Sequence, residues 1–474
     1  MFRFHYENVI GTSLDLKIVA PSEGWAEQAE AAALNEIDRD AKILSSYDPA
    51  SEFSRWFQTS GEAVAVSPEL FDVLNTFDKW RVRTGGALDP AAEAITRVWK
   101  RAATENRMPA SKELAEAVAA VKQQHWLLDA QHGTATHLTN TPLVLNSFTK
   151  SYIVSRAADA ALSSPEVTGV VVNIGGDLVV RGALNEPVDV ADPFSDAENS
   201  TPIASLAVHD RAIATSGDYR RGVEIAGRHY SHIVDPRTGQ PADEIVSSTV
   251  LAPNASDAGA LATAFSVLKP EESAKIAAST PGVAYLLVKK SGEQIANPAW
   301  LAMAIPHPHT NFYPAAVSGT WDPSMELDVS FEIRRIDNYR ARRPYVAVWI
   351  EDADKFPVRT IAFWVEKTRY IPEMKAWYKD DRLRAMAEGS EITHSISSAT
   401  RPPGKYTVKW DGKDNSGKLV KAGKYTVMIE AVREHGTDQI MRQEMDFNGS
   451  PKQMNLPGGV ELAGAALDYR KAGR

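Results

Sequence analysis

Gly169-Val-Val-Val-Asn-Ile-Gly-Gly-Asp177 is the stretch from which the fold of the first part of the chain is read. A short apolar run closed by glycines reads as a strand that ends in a tight turn. Two glycines between a strand and an acid let backbone approach a nucleotide closely; a plain β-turn is the alternative. No G-K-[S/T] follows, so triphosphate binding of the P-loop kind is not supported. Working outward, Leu14–Val19, Ile203–Val208 and Val246–Leu251 are further apolar runs of strand length. Trp25–Leu44, Pro68–Arg83, Pro90–Thr104, Ser111–Gln124 and Thr149–Leu162 carry apolar residues at helical spacing, the first with Ser22 as its N-cap. Irregular interleaving of the two predicts an α+β or α/β domain over residues 1–304, with α+β the expected class.

Pro306-His-Pro-His-Thr-Asn breaks this pattern, because prolines bar both helix and inner strand; residues 305–322 read as a linker. Beyond it Leu327, Val329, Phe331 and Ile333 alternate with Glu326, Asp328, Ser330 and Glu332. Similar strands are expected at Tyr345–Ile350, Val358–Val365, Tyr406–Trp410 and Tyr425–Ala431, with Asp411–Gly417 as a turn. Short strands with turns between them predict an all-β, sandwich-like domain over 323–450, followed by a tail over 451–474. Trp349, Trp364 and Trp410 read as its core.

The 474-residue chain has a formal net charge of −9, and no basic stripe offsets it, which argues against a nucleic-acid partner. Cysteine is absent, which excludes disulfides, thiolate metal ligands and a Cys nucleophile. No run of about 18 apolar residues is present, so no transmembrane helix is expected. The opening MFRFHYENVIGTSLDL alternates like a strand and lacks the marks of a signal peptide, so either the protein is cytoplasmic or a signal has been removed.

Three more motifs carry chemistry. Thr84-Gly-Gly-Ala-Leu-Asp-Pro90 precedes a helix, where glycines open the backbone to a ligand and Asp89 can serve as a cap. Ala214-Thr-Ser-Gly-Asp-Tyr219 is followed by Tyr230-Ser-His-Ile-Val-Asp-Pro-Arg-Thr-Gly239, which sets His232 among Asp235 and Arg237 on a turn-rich segment. A histidine so placed is an acid–base candidate, and a structural His is the alternative. Ser256-Asp-Ala-Gly-Ala-Leu-Ala-Thr263 opens a helix, where an Asp and a Thr hydroxyl can hold a hard cation; an ordinary capped helix is the alternative.

Taken in order, these motifs, with Ile10-Gly-Thr, Leu44-Ser-Ser-Tyr47 and Ser51-Glu-Phe-Ser-Arg55, resemble the bacterial FAD:protein FMN transferases, the ApbE family, over about residues 5–300. The resemblance implies Mg²⁺-dependent transfer of FMN from FAD to a threonine hydroxyl of an acceptor protein, with release of AMP. It implies FAD contacts at Ile10, Tyr47, Ala87, Leu88, Asp89, Lys150 and Ile233, with Asn173, Gly176 and Asp177 shaping the same cleft. It makes His232 the general base, and Ser147, Thr263 and Asp257 the residues nearest the metal.

Two departures stand out. Where the family commonly reads D-L-G-G-I-A-K-G, this chain has Val144-Leu-Asn-Ser-Phe-Thr-Lys-Ser151. Where it reads D-A-L-A-T, this chain has Gly259-Ala-Leu-Ala-Thr263. Asp257 lies two residues before Gly259, which on a helix turns its side chain by about 200°. A flavin-binding protein without turnover is therefore the alternative function.

The end of the chain, with Arg343-Pro-Tyr-Val-Ala-Val-Trp-Ile-Glu-Asp and Lys409-Trp-Asp-Gly-Lys-Asp, resembles a predicted periplasmic domain of unknown function. That resemblance favours an exported, periplasmic protein. His394-Ser-Ile-Ser-Ser-Ala-Thr400 is similar to the family's acceptor motif, which would make Thr400 a flavin acceptor and the protein self-flavinylating; an ordinary loop is the alternative.

Overall fold

Strands apolar on both faces need a cover on each. The computed structural model supplies two covers for the central sheet. It describes all residues except 196, 218–221, 306–318, 336–342, 366–367, 389–396, 399, 434–436 and 473–474. Two units result, one of Met1–Pro193 with Ile203–His307 and one of Phe194–Pro202 with Pro308–Arg474.

The first unit is built on an eight-stranded sheet in the order Phe2–Val9, Thr12–Val19, Gly169–Ile174, Asp177–Gly182, Ala212–Gly217, Ile245–Ala252, Ala284–Lys289, Gln294–Ala296. Every neighbouring pair runs antiparallel. Its helices are α1 (Glu23–Leu44), α2 (Glu52–Phe57), α3 (Pro68–Arg83), α4 (Glu93–Thr104), α5 (Ser111–Val121), α6 (Thr149–Ala161), α7 (Ala255–Val267), α8 (Pro270–Ala278) and α9 (Pro298–Met303). Helices α6 and α7 lie on one face of the sheet, α6 against Gly169–Ile174 and Asp177–Gly182, and α7 against Ala212–Gly217 and Ile245–Ala252. There Val170, Val172 and Val250 join Ala157, Ala158, Leu261 and Phe265 in one core. On the other face Val171, Val180, Ile213 and Leu251 meet Leu206, Val208 and Trp300, supplied by α9 and a small sheet of Asn185–Val190, Ala204–His209 and Ala304–Ile305. Each buried Val, Leu, Ile or Phe among them contributes about 1.5–3 kcal/mol. This is an α+β arrangement. Ser22 does sit at the N-cap of α1, but its side chain makes no capping bond.

The second unit is mostly strands in two antiparallel sheets with one short parallel addition. Four strands run in the order Gly404–Trp410, Met325–Ile333, Leu462–Lys471, Lys452–Pro457. Five run Ser397–Ser398, Pro357–Trp364, Pro344–Glu351, Gly423–Arg433, Asp438–Phe447. One apolar cluster draws on both sheets and holds Trp321, Trp364 and Trp410. The other face of the five-stranded sheet, with Trp349 and Phe363, is covered by Trp377 of α10 (Lys375–Glu388). The expected tail is corrected here: Leu462–Lys471 is an inner strand, with Leu462, Leu467 and Tyr469 buried. Small residues between these anchors (Ala463, Gly464, Ala466) hide the alternation. Thr407 and Lys409 at the edge pair with Ala197 and Asn199, which belong to this unit although they fall inside the first stretch of sequence.

Candidate active site

The Asn173–Asp177 turn is a two-residue hairpin in which Ile174 pairs with Asp177. Gly175 and Gly176 have φ of +58° and +97°, the conformation such a turn requires and side chains resist. The Asn173 side-chain oxygen accepts from the Gly176 N–H at 3.1 Å. A Cβ on Gly175 would come within 2.8 Å of Thr12 Cγ2, so the Ile10–Gly11 turn lies directly against it. Ile10 itself holds φ of +42°, unusual for a β-branched residue. Thus the first two expected contact regions, Ile10 and Asn173–Asp177, adjoin.

The segment Val144–Ser151 gathers the rest. The Val144 N–H donates to Pro90 O at 3.0 Å, and the Leu145 N–H to Ser46 Oγ at 3.1 Å. The Asn146 side-chain amide donates to the Tyr47 hydroxyl. The Ser147 carbonyl accepts from Thr263 Oγ1 at 3.2 Å. Ser151 Oγ donates to Asp177 Oδ2 at 3.0 Å. Burial pushes the Asp177 carboxyl above its ordinary range, while Lys150 and the Ser151 hydroxyl pull it back.

Tyr47 is 76% exposed beside a cavity of about 370 Å³ lined by Phe53, Phe57, Arg97 and Leu143 among others. A second cavity, of about 240 Å³, is lined by Asn173, Gly176, Asp189, Thr215 and Ser247 among others. Thr215 lies on the strand Ala212–Gly217. Asp218 and Tyr219 of that motif lie outside the described residues.

The Thr84–Pro90 loop turns its side chains inward. Ala87 and Leu88 are buried in the core. Asp89 pairs with Arg81 at 2.8 Å and accepts from the Ala91 N–H at 2.9 Å. Burial pushes its carboxyl up to about 6. What this loop can offer a ligand is its backbone. A Cβ on Gly86 would lie 3.7 Å from Arg237 Cγ, which sets the loop beside the His232 segment. There Arg237 is clamped on Asp235 by bonds of 2.8–3.2 Å, and the Trp99 indole N–H donates to Gly239 O at 2.9 Å. Ile233 is buried with its N–H on Ser231 Oγ. His232, between these two anchors, is exposed.

The expected metal donors are not brought together. Ser147 and Thr263 meet, but Asp257 does not join them. Its Oδ1 accepts from the Trp80 indole N–H at 3.0 Å and pairs with Lys79 at 3.3 Å. Among the described residues no three His, Asp or Glu side chains gather as a metal centre would require. Mg²⁺ takes oxygen ligands in near-octahedral geometry, commonly with a carboxylate, and this donor set does not fit it. Thr400 is 2% exposed, its carbonyl bonded to Arg343 at 2.8 Å, so its hydroxyl is not presented to a ligand as an acceptor would need. Reading the sequence missed Ser151 as a site residue; its place after Lys150, where the resemblance calls for Gly, was the available signal.

Fold and site together define an α+β protein whose cleft is framed by glycine turns and the start of α6. The chain belongs to the ApbE family, which matches residues 10–287. A second family, described as "Predicted periplasmic protein", matches residues 326–464. The chain is 30% identical over 254 residues to an FAD:protein FMN transferase of Vibrio cholerae, covering 52% of this chain and 75% of the relative. It is 28% identical over 297 residues to one of Klebsiella pneumoniae, covering 60% and 83%. Among solved structures, the ApbE protein of Thermotoga maritima superposes with a TM-score of 0.57 at 27% identity, covering 64% of this chain and 98% of that one. A flavin transferase of Vibrio cholerae, at 23% identity and a TM-score of 0.53, shares the fold. Among the described residues no helix is long and apolar enough to cross a membrane.

Proposed function

We propose that this transferase moves FMN from FAD to a threonine hydroxyl of an acceptor protein and releases AMP, acting in the periplasm. The observation that carries the reading is the convergence on Val144–Ser151 of three surroundings: the Ser46–Tyr47 loop, the Thr84–Pro90 loop, and Asp177. Lys150, beside Asp177, is the cation suited to a phosphate oxygen. Tyr47, exposed and aromatic, suits a ring of the dinucleotide. The threonine oxygen attacks the FMN phosphorus, the bond from that phosphorus to the bridging oxygen breaks, and AMP leaves with that oxygen. His232 takes the threonine proton; its exposure suits a group that must meet an incoming protein. Such catalysis rests on positioning and charge stabilisation. The test is incubation with FAD and a threonine-bearing acceptor. An FMN mass on the acceptor and an equal yield of AMP are expected, and FAD left intact refutes the reading. Gly259 favours a second reading, a protein that holds FAD without turning it over. Visible absorbance retained on the protein with no transfer would select it.

A further inference from the structure

Ser151 and residue 259 compete for one space. Ser151 lies in the first turn of α6, Gly259 in the second turn of α7, and the two helices pack together. A Cβ built on Gly259 would overlap Ser151 Oγ and come within 3.1 Å of both Ser151 Cβ and Phe148 Cβ. The hydroxyl cannot swing aside without loss. Ser151 is 2% exposed, and its Oγ donates to Asp177 at 3.0 Å. One turn along α7, Thr263 reaches across to the Ser147 carbonyl at 3.2 Å. The helix junction therefore holds a carbonyl and a hydroxyl oxygen from the expected metal set, with a serine where α7 would project a side chain.

We propose that Ser151 and Gly259 form a reciprocal pair, in which the Ser151 hydroxyl anchors Asp177 in the space a side chain at 259 would need, and that this exchange withholds a divalent-cation site from the α6–α7 junction. Ser151 is a positioning residue in this account. An acid placed at 259 alone must displace the hydroxyl, which frees Asp177 close to a new carboxylate, and like charges so near one another disfavour ionisation of both. Removing the hydroxyl at the same time opens the space. The new carboxylate can then join Ser147 O and Thr263 Oγ1, an oxygen set of the kind a hard cation takes.

The proposal deepens the flavin-transfer reading, but its test reads cation binding without FAD, so either can fail alone. The full chain, Ser151→Gly, Gly259→Asp and the double variant are titrated with MgCl₂ by calorimetry, with circular dichroism confirming folding. A second double variant, Ser151→Ala with Gly259→Asp, guards against a helix weakened by glycine. The expected result is Mg²⁺ binding at least tenfold tighter in a folded double variant than in Gly259→Asp alone, with no gain from Ser151→Gly alone. Equal affinity in Gly259→Asp and the double variants overturns the proposal. So does the parent chain binding as tightly as a double variant, or a folded double variant that binds no Mg²⁺.

Discussion

Asp177 in the first unit and Glu430 in the second are both carboxyls that burial pushes above their ordinary range, yet their surroundings differ in kind. Glu430 is 0% exposed, and its two oxygens accept from the Ala376 and Trp377 N–H groups at 3.0 and 2.8 Å. Those donors open α10, where backbone N–H groups have no partner within the helix. Asp177 closes a glycine turn whose neighbours Asn173 and Gly176 line a cavity, and it is met by a hydroxyl and a lysine. A buried acid whose partners tie one element to another fastens the fold, as Glu430 does, while one that closes a turn beside a cavity is placed to meet a ligand.

The two units should differ most in their chemistry, which the first unit alone should carry. His232→Ala is expected to slow FMN transfer by about 10²–10⁴-fold with FAD affinity nearly unchanged, since a general base acts on the rate. Glu430→Gln in the same assay should leave transfer untouched. Single-turnover rates beside an FAD titration separate the two effects, and a His232→Ala protein as fast as its parent removes His232 from the mechanism.

Asp177→Asn should come next. It keeps the shape and an acceptor for the Ser151 hydroxyl but removes the charge that Lys150 faces, a charge that burial already disfavours in the folded state. Transfer should fall about tenfold or more while the melting temperature moves little. The reverse pattern, a large melting shift with full activity, would place Asp177 in the same class as Glu430.

Glu430 should show itself in the pH dependence of stability. Burial pushes it up to about 7 from an ordinary 4.5. The folded state thus holds a proton that the unfolded chain has lost between those values. Stability from this group is fully present below about 4.5 and is lost as pH rises through about 7. Melting temperature should decline across that window, and Glu430→Gln, which carries no titrating proton, should flatten the decline. An unchanged slope in the variant would assign the effect to other buried acids, such as Asp89.

Much of this architecture is legible in the sequence where a local pattern alone decides it. Pro68–Arg83 declares itself by Ser67 at its N-cap, proline at its first position and arginines in its last turn. Gly175-Gly176 could only be a turn. By contrast, Asp438–Phe447 is an edge strand whose inner face sets Gln439 and Gln443 among Met441, Met445 and Phe447, which interrupts the apolar alternation. The candidate site was legible as motifs but not as contacts. Nothing in Ser147–Ser151 or Gly259–Thr263 tells that Ser151 reaches Asp177, because that contact depends on how α6 and α7 pack on the sheet.

The smallest effect concerns Asp257, an acid that motif reading set near the metal and the fold has engaged elsewhere. It lies in the first turn of α7, where its own N–H is capped by Asn254 Oδ1 at 3.1 Å. Its carboxylate turns toward α3 and holds the Trp80 indole, a fully buried side chain, with Lys79 alongside. A carboxylate near a helix N-terminus is favourable on its own account. Asp257 is thus closer in kind to Glu430 than to Asp177, because it ties one helix to another. Asp257→Asn keeps an acceptor for the indole and loses only the charge. It should cost about 1 kcal/mol and lower the melting temperature by about 2–4 °C. The response of transfer to added Mg²⁺ should stay as in the parent. A Mg²⁺ requirement that rises several-fold in Asp257→Asn, with the melting temperature unmoved, would instead make it a metal ligand.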